Sequence, residues 1–444
     1  MSYVPHTREE VEEILDAIGV SSIEELFKDI GLALRPRSFN LPSGRSEFEI
    51  KEHLERISSK NNANLISFVG GGFYDHYIPS VVDAIAGRSE FYTPYTPYQP
   101  ECLQGTLQAI YEYQTAICML TDMDVSNASL YDGGTALFEA VMMSLRITGR
   151  KKIIIDGGVN PIYKDMLFTH TKNLPIEIIK IPPHVGQTKR DEIYRHLDED
   201  TASVVLQNPN FFGTIDEHSD IAERAHRVGA LIIESVYPIS LGLIKTPGSM
   251  GVDIAVGEGQ SLGISLSFGG PYLGFLACKR EFLRRMPGRI VGETVDIEGK
   301  RGFVLTLQTR EQHIRRQRAT SNICTNSALC ALRAVIFLSL LGKNGFIELS
   351  KLNYEKSEFA KDLLKGKPGI EVLNSPTFNE FTVRLKRDAS RVINRMIKEG
   401  IAAGIPIGRF YEGMENYLLI AVTEKRKKEE ILRLCEALND AVNL

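Results

Sequence analysis

Three tyrosines and three prolines alternate with small polar residues between residues 90 and 105, where the sequence reads EFYTPYTPYQPECLQG. Proline fixes the backbone φ angle and lowers the entropy that a segment loses when it docks. Tyrosine supplies a stiff apolar wall ending in a hydroxyl, which can orient a carboxylate or a phosphate. This segment, named here the tyrosine ribbon, therefore predicts either a ligand-contacting loop or a loop packed at a subunit interface.

A second constellation lies at residues 310 to 322, where the sequence reads REQHIRRQRATSN. Solvated charge on a surface segment is the ordinary explanation of such a run. Arginine can also bind a carboxylate or phosphate through two parallel hydrogen bonds, so we keep both explanations. The residues concerned are Arg310, His313, Arg315, Arg316, Arg318, Thr320, Ser321 and Asn322.

A glycine-rich turn, DGGT at residues 132 to 135, precedes a predicted long helix. The free N–H groups of Gly133, Gly134 and Thr135 can hold a phosphate at the positive end of the helix dipole. A tight helix entry with a cap near Thr135 explains the same residues equally well. The spacing fits neither a dinucleotide fingerprint nor a P-loop.

Polar residues also stand at the predicted ends of two neighbouring strands, and ligands of open α/β sheets bind beyond such ends. Each of them singly is equally well explained as a turn residue that satisfies backbone groups, but together they suggest a pocket. The residues are Gln207, Asn208, Asn210 and Glu234.

The elements that must position these residues indicate an α/β fold. Between residues 150 and 280, short β-branched runs such as IIID and LIIE alternate with helical stretches, as expected of parallel strands covered on both faces. We predict an N-terminal helical arm (1–60), a large α/β domain (61–330) and a small α+β C-terminal domain (331–444).

Composition excludes several classes of function. The chain has 444 residues and a formal net charge of −4, which argues against a nucleic-acid or membrane partner held by general electrostatics. No apolar run is expected to reach the length of a membrane span. The six cysteines are scattered, so we expect reduced thiols, no metal site and a cytoplasmic protein without a signal peptide.

At a finer level the chain resembles glycine decarboxylase, the P protein of the glycine cleavage system, in its N-terminal half or subunit 1. The resemblance spans about residues 5 to 440 and implies the fold-type I pyridoxal-phosphate-dependent transferase fold. The motifs that carry it are YDHYIP (74–79), EFYTPYTPYQPE (90–101), QGTLQAIYEYQT (104–115), VGEGQSLG (256–263), FGGPYLGF (268–275) and REQHIRRQRATSNICTN (310–326).

Enzymes of this fold hold their coenzyme on a lysine some 25 to 30 residues beyond an acidic strand end, because the carbonyl chemistry requires an amine. If Glu234 is the acidic position, the lysine position falls at residues 259 to 264, where the sequence offers Gln260 and Ser261. Lys245 comes too early and Lys279 too late. The resemblance therefore implies a degenerate cofactor pocket at Gly133, Gly134, Thr135, Glu234, Gln260 and Ser261.

The resemblance further implies that pyridoxal phosphate lies on a partner, glycine decarboxylase subunit 2, in an α2β2 heterotetramer. The complex would decarboxylate glycine and pass the aminomethyl group to the lipoyl arm of the H protein. This chain would contribute interface residues and no catalytic residue in isolation. The alternatives are a self-sufficient pyridoxal-phosphate aminotransferase and a purely structural subunit. The expected contributions from the tyrosine ribbon are Tyr92, Tyr95, Tyr98, Gln99, Glu101 and Gln104, alongside those of segment 310–322.

Overall fold

The computed structural model describes residues 6–35, 38, 40–92, 95–267, 269–373 and 375–443. Pro94 of the tyrosine ribbon and the side chain of Tyr92 lie outside the described residues. The chain divides into two compact units, Met1–Ala63 and Asn64–Leu444. The prediction that the larger unit divides again near residue 330 remains a prediction.

The first unit contains two amphipathic helices, α1 (Arg8–Ile18) and α2 (Glu47–Ser58). Each begins with a capping box, in which the hydroxyl of Thr7 or Ser46 accepts from a backbone N–H three residues on and a glutamate reaches back. These sequence signals predict where both helices start.

Between residues 152 and 236 the strands and helices of the second unit alternate, as the sequence pattern predicts. The helices are α3 (Ser80–Ala86), α4 (Ser89–Tyr92), α5 (Gln104–Thr121), α6 (Gly133–Thr148), α7 (Pro161–Thr171), α8 (Arg190–His196), α9 (Ser219–Arg227), α10 (Gln312–Arg315), α11 (Ala328–Leu364), α12 (Ala389–Lys398) and α13 (Lys428–Asn443). The strands are β1 (Ile66–Ser67), β2 (Val125–Ser126), β3 (Lys152–Ile155), β4 (Glu177–Lys180), β5 (Thr201–Asn208), β6 (Leu231–Val236), β7 (Ile254–Glu258), β8 (Gly274–Cys278), β9 (Ile290–Val295), β10 (Arg301–Thr306), β11 (Ile370–Val372), β12 (Glu380–Leu385), β13 (Ile401–Ala402), β14 (Ile405–Pro406) and β15 (Tyr417–Ala421).

A seven-stranded sheet in the order β2-β8-β7-β6-β5-β3-β4 forms the centre of the second unit. The pairs from β4 to β7 are parallel, and β8 runs antiparallel to both of its neighbours. Ile154 faces one hydrophobic cluster, whereas Ile153 and Ile155 face another on the opposite side. Both faces of the strands are therefore buried, which is why their sequences lack two-residue alternation.

The C-terminal part of the second unit forms a smaller sheet in the order β11-β12-β15-β14. Strand β12 pairs antiparallel with both β11 and β15. Side chains of α11, α12 and α13 pack with this sheet in one hydrophobic cluster. The α+β texture predicted for the last hundred residues matches this arrangement.

Helix α11 is long and apolar enough to cross a membrane by length and composition alone, which corrects the expectation that no segment would be. Its first half packs into the core, where Ala331 and Ala334 are 0% exposed. Gly342 departs from helical geometry at φ 57° and ψ −176°, so the apolar stretch ends at a break in the helix. Core packing accounts for the apolar composition of α11.

Candidate functional site

The glycine-rich turn begins helix α6, and its positive end holds a carboxyl group of the chain itself. Asp132 caps the helix by accepting from the Thr135 N–H at 2.8 Å. The Gly133 N–H donates to Glu258 Oε2 at 2.9 Å. Glu258 lies at the end of β7 and is 6% exposed, and burial raises its pKa to about 8 although backbone N–H groups counter the shift.

The glycines of the turn are required by close packing. A Cβ atom on Gly133 would stand 2.6 Å from the Tyr163 hydroxyl, and one on Gly134 would stand 2.4 Å from the Met166 sulfur. Both distances are shorter than real Cβ contacts, so a side chain at either position would require Tyr163 or Met166 to shift. Tyr163 and Met166 both belong to α7, and the turn thus serves the packing of α6 on α7.

Gln260 stands at the predicted lysine position and is bound on three sides. Its Oε1 accepts from the Tyr74 N–H at 2.9 Å, and its Nε2 donates to the Tyr74 carbonyl at 3.1 Å and to the Ile264 carbonyl at 2.7 Å. It is 1% exposed. Ser261 is also buried and lies near Tyr237. The Gln260 amide therefore holds the segment around Tyr74 to the loop that follows β7.

Glu234, at the predicted pyridine-binding position on β6, is paired with a histidine. His218 Nδ1 lies 2.6 Å from Glu234 Oε1, and both residues are 0% exposed. Burial alone would lower the pKa of His218, but the hydrogen bond and charge of Glu234, together with Asp216, raise it. The two side chains thus form a hydrogen-bonded pair that is buried in the protein core.

The space beside Glu258 is nearly filled. A cavity of about 30 Å³ remains, lined by Tyr74, Tyr163, Tyr237, Glu258 and Glu380 among others. Tyr74 donates its hydroxyl to Glu380 Oε2 at 2.6 Å, and burial raises the pKa of Glu380 to about 7. A volume of this size suits about one water molecule, whereas small-molecule sites occupy roughly 300 Å³ or more.

The residues present do not fit pyridoxal phosphate bound within this chain. The anion position carries Glu258, the lysine position carries Gln260, and the remaining volume is too small. Lys245 instead pairs with Glu217 at 2.7 Å on the surface, and Lys279 pairs with Asp253 at 2.5 Å. Neither lysine is among the residues that line the cavity.

The tyrosine ribbon is anchored to a hairpin formed by β9 and β10. Gln104 Nε2 donates to the Pro100 carbonyl at 2.7 Å and to the Phe303 carbonyl at 2.8 Å, and Gln104 Oε1 accepts from the Phe303 N–H at 2.8 Å. Gln104 thus fixes the ribbon in place, while Gln99 and Glu101 are exposed. The contact of the tyrosine ribbon with a ligand remains a prediction.

Tyr98 lies at the centre of a polar and aromatic group, named here the Tyr98 cluster, with Arg289, His313 and Asn326. Arg289 Nη2 donates to the Tyr98 hydroxyl at 2.6 Å and Nη1 donates to Asn326 Oδ1 at 3.1 Å. The His313 ring meets the Tyr98 ring edge-on with centroids 5.4 Å apart. Arg289 is 5% exposed and Tyr98 is 43% exposed, so a buried cation supports a surface hydroxyl.

A cleft of about 610 Å³ adjoins the Tyr98 cluster through Asn326. Tyr95, which is 80% exposed, and Pro97 line it from the ribbon, and Ile110 and Leu329 add apolar surface. An exposed apolar surface of this kind typically marks an interaction site. The ribbon therefore presents one anchored tyrosine and one free tyrosine beside the same cleft.

The basic segment separates into residues with different roles. Arg310 donates to the carbonyls of Met286, Gly288 and Leu307, and burial lowers its pKa. These contacts give it a structural function. Arg315, Arg316 and Arg318 are exposed, and Arg315 Nε donates to the Thr309 carbonyl at 3.0 Å. The remaining predicted residues, Thr320, Ser321 and Asn322, lie in the turn that leads into α11. The Thr320 N–H donates to the Arg310 carbonyl. The Ser321 hydroxyl accepts from the Ile323 N–H, and Asn322 accepts from Gln312.

The structure brings the predicted residues together in two places. Gly133 and Gln260 are hydrogen-bonded to Glu258 and Tyr74, which line the small cavity, and the ribbon meets His313 in the Tyr98 cluster. Glu234 is not among the residues that line the cavity. Of the strand-end residues, only Gln207 borders the cavity among the described residues, since Asn208 and Asn210 make hydrogen bonds within their own loop region. Sequence reasoning missed Arg289, Asn326, Glu258 and His218; Glu258 lies in the quoted motif VGEGQSLG, whereas Arg289 and His218 carry no distinguishing signal.

Solved structures place this fold among the fold-type I pyridoxal-phosphate-dependent enzymes. A sphingosine-1-phosphate lyase of Burkholderia pseudomallei matches with a TM-score of 0.67 at 14% identity, covering 93% of this chain and 94% of that chain. A glutamate decarboxylase of Lactobacillus brevis matches with a TM-score of 0.67 at 13% identity, covering 94% of this chain and 97% of that chain. At such identities the likeness concerns the fold alone, and the predicted fold class is confirmed.

The family model described as glycine cleavage system P-protein matches residues 1–438, and the chain belongs to this family. A probable glycine dehydrogenase (decarboxylating) subunit 1 of Geotalea uraniireducens is 56% identical over the full length of both chains. The crystal structure of a glycine decarboxylase (P-protein) of the glycine cleavage system, in inhibitor-bound form, matches with a TM-score of 0.92 at 42% identity, covering 99% of this chain and 100% of that chain. The resemblance drawn from the sequence motifs is thereby confirmed.

Proposed function

We propose that this chain is the non-lysine subunit of an aminomethyl-transferring glycine decarboxylase, and that it completes an active site whose pyridoxal phosphate is bound by subunit 2. The observation that carries the proposal is Gln260, bound on three sides where the coenzyme lysine would stand. The full-length relatives named subunit 1 support a division of labour between two chains. The aminotransferase alternative lacks an amine at this position.

The overall reaction releases the glycine carboxyl group as carbon dioxide and transfers the aminomethyl carbon to one sulfur of a lipoyl disulfide on the H protein. The electron pair of the broken carbon–carbon bond forms the new carbon–sulfur bond. The disulfide opens, and its other sulfur leaves as a thiolate that takes a proton. Glycine is thus oxidised and the disulfide is reduced. Pyridoxal phosphate supplies an electron sink for the breaking bond when it is bound to the partner.

The residues of this chain would act by positioning and by excluding water. Tyr98 is the strongest contributor, because its hydroxyl accepts from Arg289 and is left to donate its own proton outward. A hydroxyl that accepts from a cation is a stronger donor to an oxyanion. Tyr95 would supply apolar contact at the mouth of the cleft, and the exposed Arg315, Arg316 and Arg318 would meet a carboxylate or phosphate at the interface.

We place the assembly in the cytoplasm as an α2β2 heterotetramer. The free state of all six cysteines suits a reducing compartment. The exposed apolar cleft beside Tyr95 suits coverage by a second chain.

The test is reconstitution. This chain alone should lack covalently bound coenzyme and should not exchange bicarbonate with the carboxyl group of glycine. The complex with subunit 2 should contain covalently bound coenzyme and should catalyse the exchange, and the exchange rate should fall at least tenfold when this chain is omitted. Coenzyme covalently attached to this chain when it is purified alone would refute the proposal. Equal exchange by subunit 2 without this chain would leave only a structural role for it.

A further inference from the structure

Glu258 makes more hydrogen bonds than packing alone requires. Besides the Gly133 N–H, its carboxyl group accepts from the Gln260 N–H at 2.9 Å and from the Leu273 N–H at 3.2 Å. These three donors come from the start of α6, the loop after β7 and the segment before β8. Three backbone N–H groups from separate segments that converge on one acid form a built oxyanion site.

We infer that this oxyanion site is permanently closed by the chain's own Glu258 carboxyl group, which occupies the position of a phosphate. The inference goes beyond the missing lysine, because loss of an anchor alone would leave the phosphate position free to bind an anion. A phosphate and the Glu258 carboxyl group cannot both accept from the Gly133 N–H. The closure therefore excludes inorganic phosphate as well as pyridoxal phosphate.

Glu234, the acid at the predicted pyridine-binding position, is engaged separately by His218. The His218 imidazole makes a 2.6 Å contact with Glu234 Oε1 and lies 3.2 Å from the Thr188 hydroxyl through its second nitrogen. Both ring nitrogens are thus committed to partners within the chain. A ligand ring nitrogen would have to displace His218 from Glu234, and both residues are 0% exposed.

The space beside Glu258 is polar but small. Asn379 is 2% exposed and borders the same cavity of about 30 Å³, and its Nδ2 has no partner among the described residues. This volume admits a single water molecule that the Asn379 amide can bind. It does not admit a phosphate group while Glu258 is in place.

The test removes the closing group. Glu258→Ala deletes the carboxyl group and leaves three N–H donors facing the space it occupied. Inorganic phosphate at about 10 mM, against chloride at matched ionic strength, should then raise the melting temperature by about 2 °C or more, whereas the wild-type chain should show no such rise. Glu258→Gln keeps the shape and an acceptor, so it should stay closed and give no phosphate response.

Several outcomes would overturn the inference. A phosphate-specific stabilisation of the wild-type chain would show that the site is open, and a Glu258→Ala chain that folds without responding to phosphate would show that no oxyanion site lies beneath. If Glu258→Ala does not fold, amide hydrogen exchange on the wild-type chain decides: protection of residues 133–135 should be unchanged by phosphate, and a phosphate-dependent change refutes closure.

A final measurement separates this inference from the proposed function. The complex of Glu258→Gln with subunit 2 should keep glycine–bicarbonate exchange within about twofold of wild type, because a closed site takes no part in the reaction. A tenfold loss at unchanged melting temperature would overturn the inference. Failure of the wild-type complex to catalyse exchange would count against the proposed function only, since closure is measured on this chain alone.

Discussion

Replacing Tyr98 by phenylalanine isolates one hydrogen bond to a buried charge. The change removes the hydroxyl that accepts from Arg289 Nη2 at 2.6 Å and keeps the ring that lies 5.2 Å from the guanidinium carbon. Arg289 is 5% exposed, and its Nε has no partner among the described residues. Tyr98→Phe therefore removes a hydrogen-bond partner from the Arg289 guanidinium, which already has few.

The cost follows from the burial of the two residues. A hydrogen bond to a charged group contributes about 1.5 to 3 kcal/mol, and water can replace part of it because Tyr98 is 43% exposed. We therefore expect Tyr98→Phe to lower the free energy of unfolding by about 1.5 kcal/mol. Tyr95→Phe is the matched control: Tyr95 is 80% exposed, and its change should cost less than about 0.5 kcal/mol.

The assay is urea unfolding of the isolated chain, followed by glycine–bicarbonate exchange with subunit 2. Tyr98→Phe should show the lower urea midpoint and also a higher KM for glycine or weaker coenzyme binding in the complex. Equal midpoints for the two variants would refute the support of Tyr98 by Arg289. Equal exchange kinetics with a lowered midpoint would limit Tyr98 to a structural role.

Three further changes test other parts of the same structure. Burial raises the pKa of Glu258 to about 8 and the pKa of Glu380 to about 7. Between about pH 4.5 and pH 8 these two acids therefore hold more protons in the folded chain than in the unfolded chain, so the urea midpoint should fall as the pH rises. A midpoint that does not change with pH would contradict the burial of these acids. Gln104→Ala removes two hydrogen bonds between the ribbon and the β9–β10 hairpin and one within the ribbon, and it should cost about 2 to 3 kcal/mol in urea unfolding. The exposed Gln108→Ala should cost less than about 0.5 kcal/mol, and similar costs for both variants would refute the anchor. His218→Ala leaves Glu234 buried without its partner and should cost about 3 to 5 kcal/mol in the same assay, and a loss below about 1 kcal/mol would mean that the pair is not buried as described.

The sequence predicts the main sheet well because the residue pattern that identifies each strand lies within the strand itself. The run IIID of β3 lacks alternation, since both faces of the strand are buried. The β9–β10 hairpin was not predicted. Residues of β10 alternate between buried and partly exposed positions, and the strand gains its partner and the Gln104 contacts only in the folded chain.

The candidate site is only partly predictable for the same reason. Gln260 could be placed by its distance along the chain from Glu234, because both lie on consecutive strand ends of one sheet. The contact between Tyr74 and Glu380 joins residues 306 positions apart, and the contact between Gly133 and Glu258 joins residues 125 positions apart. No local pattern encodes such pairs, so closure of the site became visible only in three dimensions.

Under the proposed function this chain binds no coenzyme of its own, and the packing problem that this creates explains why its site is filled. An empty space of about 300 Å³ would cost about 7 kcal/mol at the rate measured for core cavities, which approaches the whole stability of a typical domain. Tyr74, Tyr163 and Tyr237 reduce the remaining volume to about 30 Å³, and Glu258 satisfies the N–H groups that a phosphate would otherwise satisfy. The aromatic rings thus fill the volume that a coenzyme would occupy, and the carboxyl group takes the place of its phosphate as a hydrogen-bond acceptor. The chain can therefore keep the rigid fold that anchors the ribbon residue Tyr98 without binding a coenzyme of its own.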